Sequence, residues 1–148
     1  MSKKARSEGN RVASAIKTGN GWYVSDVDLE DSGEDVFTCC ETVKKTLGKF
    51  NAGFMLISAG VKNLCVVVSI HDSLANKVDG KEWLSESLKG IISDDKLDIK
   101  EEKGMLGIVA ELDTPFKLKD VVRSAAFAYL RSKSLIQEES EDEEFYEF

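Results

Sequence analysis

A chain of 148 residues has room for one domain, and its 42% hydrophobic residues are ordinary for a globular protein with a single core. No run approaches the ~20 apolar residues that span a bilayer, and the basic start Met1-Ser2-Lys3-Lys4-Ala5-Arg6 passes into polar residues without a secretory signal's apolar stretch, so a cytoplasmic protein outside membranes is expected. The net charge of -7 resides in residues 137–148, where Glu138, Glu139, Glu141, Asp142, Glu143, Glu144 and Glu147 have no Lys or Arg among them; the remaining acids and bases balance, which argues neither for nor against nucleic acid.

In chain order, residues 1–20 are polar with scattered apolar positions at Val12, Ala13 and Ile16, and are expected to be a connector, the fraying end of a preceding helix. Trp22–Leu29 reads as a strand bounded by turn residues. From Asp35, the apolar residues Val36, Phe37, Cys40, Val43, Leu47 and Phe50 recur every three or four positions, with Glu41, Lys44, Lys45 and Lys49 between them, which predicts an amphipathic helix. Gly53–Ser58 and Leu64–Ile70 are apolar runs joined by a short link, predicting two central antiparallel strands.

Asp79 followed by Glu82 forms a capping-box pattern ahead of a second helix carrying Trp83, Leu84 and Leu88 and ending near Ile92. Leu97 and Ile99 alternate with charged residues, Lys103-Gly104 supplies a turn, and Met105–Leu112 completes a second hairpin. Thr114-Pro115 starts a last helix, with Tyr129 and Leu130 as anchors shared with Trp83. Residues 137–148 repel one another and are expected to be a disordered tail. The fold class is α/β of the α+β type, with a mixed, largely antiparallel sheet of about five strands and three main helices in the order β-α-β-β-α-β-β-α; the globular part spans 21–136.

Catalytic residues, metal ligands and cofactor-binding residues are not expected. His71 is the only histidine and no nucleophile elbow or HExxH stretch surrounds it. Cys39, Cys40 and Cys65 lack metal-ligand spacing and fall in apolar contexts, where free thiols pack as small hydrophobes. The glycines match no phosphate-binding motif. Basic residues recur as Lys44, Lys45 and Lys49, as Lys62 beside Asn63, as Lys77 and Lys81, and as Lys117, Lys119 and Arg123; gathered by the fold, they could meet a phosphate backbone.

The succession VKKTLGKF, GFMLISAG, VKNLCVVVSI and HDSLANKVDGKEWLSESLKGI resembles the C-terminal globular domain, C-Ala, of alanyl-tRNA synthetase. GNGWYVSDVDL is similar to the strand that opens that domain and AAFAYLRSKSL to its closing helix, so the resemblance covers about residues 12–136. Where the family carries a glycine-rich stretch and an RPDMAQ-like motif, this chain has IISDDKLDIKEEKGMLGIVAELD, and it adds the acidic tail. The resemblance implies an accessory domain of an alanine-tRNA ligase that touches tRNA and helps link aminoacylation to editing, with the remainder of the synthetase as its other partner. Tied to it are contacts from Lys62, Asn63, Lys77 and Lys81. The missing glycine motif leaves open a different class, a protein-interaction or homodimerisation module without RNA affinity.

Overall fold

The computed structural model describes residues 3–19, 21–93 and 96–136. Its elements are α1 (Lys3–Lys17), β1 (Trp22–Asp26), α2 (Gly33–Leu47), β2 (Gly53–Ala59), β3 (Asn63–Ile70), a 3-10 turn at Asp72–Leu74, α3 (Gly80–Leu88), β4 (Lys100–Glu102), β5 (Met105–Glu111) and α4 (Pro115–Ser132). The strands form one mixed sheet in the order β1-β2-β3-β5-β4, with β1 parallel to β2 and every other pairing antiparallel.

Alternation along the strands sends side chains to two faces. Phe54, Leu56, Cys65, Val67 and Met105 point to one face, against α1 and α2. Met55, Ile57, Leu64, Val66, Val68 and Ile108 point to the other, against α3 and α4. Both faces of β2 and β3 are therefore covered, which is why these strands read as continuous apolar runs.

Residues 3–17 are part of the fold and not a connector. Ala5, Val12, Ala13 and Ile16 are fully buried against α2. Gly9 makes the approach close: a Cβ there would lie 2.8 Å from Thr42 Cβ and Cγ2 and 3.0 Å from the Cys39 carbonyl oxygen.

Local chemistry sets the helix starts. The Ser32 hydroxyl accepts from the Asp35 amide at 3.1 Å to cap α2, and Asp79 accepts from the Lys81 amide at 3.0 Å to cap α3. The reciprocal half of the expected capping box is absent, because Glu82 turns instead to the Tyr129 hydroxyl and to Lys133. Pro115 opens α4, but the Thr114 side chain makes no capping bond. α3 stops at Leu88, ahead of Gly90, earlier than its apolar spacing suggests. Lys103 (φ 54) and Gly104 (φ 82) form the turn between β4 and β5. Lys44 Nζ donates to the Lys103 carbonyl at 2.9 Å while Lys103 Nζ bonds Glu41 at 3.0 Å, fastening that turn to α2.

Trp83 is the largest fully buried side chain. Its indole N–H donates to the Ala126 carbonyl at 3.2 Å, and its ring meets Trp22 edge-on at 6.0 Å. Leu130 is likewise buried, whereas Tyr129 is only partly so. Residues 137–148, expected as a disordered acidic tail, lie outside the described residues.

Candidate nucleic-acid interface

The topology gives the sheet two chemically different ends. β1 and β2 run parallel, so the helix between them, α2, runs back along the sheet; α1 and α4 take the same direction as α2. At one end lie the C-termini of α1, α2 and α4, the start of α3, the turn at Lys103-Gly104, and His71. At the other lie the starts of α2 and α4 and the link between β2 and β3, with Val61.

At the His71 end, Lys45, Lys49, Lys77 and Lys81 are exposed and form no salt bridge to any described residue. Several acids there are engaged: Asp79 caps α3, Glu82 meets Tyr129 and Lys133, and Glu41 bonds Lys103. Asp72, Glu101, which shares a cavity with Lys81, and Glu102 remain exposed as a partial counterweight. The Glu41 carboxyl is held below its ordinary value by the hydrogen bond from Lys103 and then by the charges of Lys103, Lys45 and Lys44. His71 is a cap for the 3-10 turn: its Nδ1 accepts from the Ser73 amide at 3.1 Å, and its backbone N–H donates to Ala52 at 2.9 Å. Beside it is a cavity of about 210 Å³ lined by Leu47, Phe50, Phe54 and Ile70, with Lys44 on its wall.

Lys62 and Asn63 stand apart from Lys77 and Lys81. Lys62 precedes β3, Asn63 opens it and the two lysines follow it, so a strand of eight residues, about 25 Å at ~3.3 Å per residue, separates the pairs. Their amides donate to Asp31 Oδ1 at 3.0 and 2.8 Å, and the Asn63 side chain donates to the Asp31 carbonyl at 3.2 Å. These bonds hold the Asp31 carboxyl below its ordinary value, Asn63 contributing most. Asn63 is thus occupied by the fold, and Lys62 stands at an end that carries Glu30, Asp31 and Asp113 with Lys117.

This second end is acidic and partly apolar. Val61 is 83% exposed and Phe116 65% exposed. Between them, with Pro115, is a cavity of about 590 Å³ rimmed by Glu30, Asp31 and Asp113. Lys119 Nζ sits 4.3 Å above the Phe116 ring, and Lys119 and Arg123 each approach Asp26 at 3.6 Å, so these two are committed locally, whereas Lys117 stands exposed at the rim of the cavity.

The polarity has a structural origin as well. Glu34 and Asp35 in the first turn of α2, Lys44 and Lys45 in its last, Lys17 at the end of α1 and Arg131 at the end of α4 all compensate helix dipoles. Reading the lysines as a list missed this, because the relevant signal is the common direction of three helices.

Among the described residues no group of His, Cys, Asp and Glu is placed to hold a metal ion, and no helix is long and apolar enough to cross a membrane. The three thiols are free and buried; burial pushes Cys39 up to about 12 and Cys65 up to about 11, and raises Cys40 further. No family model matches the chain, and no curated protein matches its sequence.

Proposed function

We propose that this chain is the C-terminal accessory domain of an alanine-tRNA ligase and holds tRNA through lysine-to-phosphate contacts at the His71 end of its sheet. The observation that carries the reading is the set of four exposed lysines without salt bridges, Lys45, Lys49, Lys77 and Lys81, at one end of a domain whose motifs resemble C-Ala. Lysine ammonium groups attract phosphates as point charges and release counterions, and here they need no base-reading loop. In this reading the catalytic and editing chemistry belongs to the remainder of the synthetase, and the domain supplies grip on the shared substrate.

The test is a titration of labelled tRNA with the full chain at low salt, followed by anisotropy. Binding is expected to be weak and largely indifferent to base identity. Lys45→Glu combined with Lys81→Glu should abolish it, and Lys62→Glu should leave it within about twofold, because Lys62 lies at the other end of β3. Absence of any shift at low salt, or equal loss with Lys62→Glu, would overturn the reading.

A second reading, a protein-interaction module, is favoured by one feature, the exposed Val61 and Phe116 around the cavity at the acidic end. Analytical ultracentrifugation of the full chain separates its homodimer form from the first reading.

A further inference from the structure

We infer that the acidic tail, residues 137–148, docks back onto the His71 end of its own domain and occupies the lysines that would otherwise meet phosphate. The inference rests on the tRNA-binding reading for its consequence, but its geometry stands apart from RNA.

Three observations converge. The first is where the tail leaves the body. α4 ends at the His71 end, Ser134 turns the chain (φ 60), Leu135 donates its amide to the Leu130 carbonyl at 3.0 Å, and Leu135 and Ile136 pack against the α3–α4 core. Lys133 reaches Glu82 at 3.9 Å, next to Lys81. The tail therefore departs beside the head of α3. Its residues reach about 40 Å when extended at ~3.3 Å each, more than the width of the sheet at strand spacings of ~4.8 Å.

The second is charge. Glu138, Glu139, Glu141, Asp142, Glu143, Glu144 and Glu147 are opposite in sign to Lys45, Lys49, Lys77 and Lys81, which lie at the end where the described residues stop. The cavity beside Phe116 carries Glu30, Asp31 and Asp113 against one lysine, Lys117, and so attracts an acidic segment less. The third is shape. Acids alone would account for a solubilising tail, yet this one closes with Phe145, Tyr146 and Phe148. The cavity of about 210 Å³ beneath Lys44, walled by Phe50, Phe54 and Ile70, exceeds the ~150 Å³ that accepts a benzene ring. One tail aromatic fits there, with the adjoining carboxylates reaching past the cavity wall, which holds Lys44 and Asp72, to the exposed lysines of the same end.

A tethered segment competes at its effective concentration, in the millimolar range for a short connection, so even a weak docking site reduces phosphate binding by roughly two- to tenfold. The device is a substrate mimic in charge that sets a threshold for RNA and yields as salt rises.

The test compares the full chain with a full-length variant carrying Phe145→Ala, Tyr146→Ala and Phe148→Ala, and with a chain ending at Ile136. Backbone amide resonances are recorded without RNA. Docking predicts that both changes shift the amides of Lys45, Lys49, His71, Lys77 and Lys81, and that added salt moves the full chain toward the same positions. Shifts confined to residues 130–136 would overturn it. The same three proteins are then titrated with tRNA, where the two altered proteins should bind two- to tenfold more tightly. Amide shifts at the lysines without tRNA binding by any of the three would sink the RNA reading and keep the docking; tRNA binding of equal strength by all three, with no distant shifts, would sink the docking alone.

Discussion

Trp83 joins the two helices on one face of the sheet to each other and to β1. It is fully buried, its N–H is bonded to Ala126, and Trp22 supports its ring edge. Trp83→Ala should lower unfolding free energy by about 3 to 5 kcal/mol, through lost burial and the cavity left behind. Chemical denaturation would read this as a shift in midpoint with an unchanged slope; a near-neutral effect would contradict its place in the core. The thiols make a second residue-level prediction. Cys39 and Cys65 are pushed up to about 12 and about 11 by burial, so in the pH range above their ordinary value of 9.0 the unfolded chain loses thiol protons that the folded chain retains. Their contribution is complete below about pH 9 and is lost as pH rises through the folded values. Tyr129, raised first by burial and then by its bond to Glu82, acts in the same sense. Midpoints of urea unfolding at pH 7.5, 9 and 10.5 should therefore fall progressively, and a Cys39→Ala chain should show a shallower decline from a lower start.

At the scale of elements, α1 shows how a helix becomes part of a core with little apolar bulk. Its contact with α2 depends on smallness as much as on Val12 and Ile16, because Gly9 lets the two backbones approach. Ala ordinarily improves a helix over Gly by ~1 kcal/mol. In Gly9→Ala the new methyl would meet Thr42 and Cys39, both on α2, and the ~1 to 3 kcal/mol penalty of overpacking should win. A lowered thermal midpoint for Gly9→Ala, with unchanged helical signal at 25 °C, checks the sign. The same element explains what the sequence did not disclose. Periodicity and turn chemistry located α2, β2, β3, β5 and α4, since Val36 to Leu47 and Met105 to Glu111 carry large residues at regular spacing. α1 buries Ala5, Gly9 and Ala13, which leave almost no hydrophobic trace. The site was legible in part: the antiparallel pairing of β2 with β3, expected from the two apolar runs, brings Lys77 and Lys81 to the end that carries Lys45 and Lys49. Lys62 and Asn63 were grouped with them by residue type, although the strand expected between them already sets the two pairs apart.

For the whole molecule, polarity along the sheet decides how it would meet a polyanion. If three or four lysines at the His71 end take phosphates, the plot of log affinity against log salt should have a slope of about -2 to -3, and affinity should fall several-fold to tens-fold between low and physiological salt. A slope near zero would mean that something other than phosphate is being held. The sheet's margins carry a separate consequence. β4 offers a neighbour only Lys100, Glu101 and Glu102, all exposed, and β1 on the far side is five residues long. With three exposed charged residues, β4 is a poor template for strands from other copies, so that margin is guarded against edge-to-edge pairing. The vulnerable material, Gly53–Ala59 and Asn63–Ile70, is sealed in the middle of the sheet, and one of its two covering strands, Met105–Glu111, comes late in the chain. The hazard is thereby confined to synthesis, in the interval after β3 has left the ribosome and before β5 has arrived to close over it.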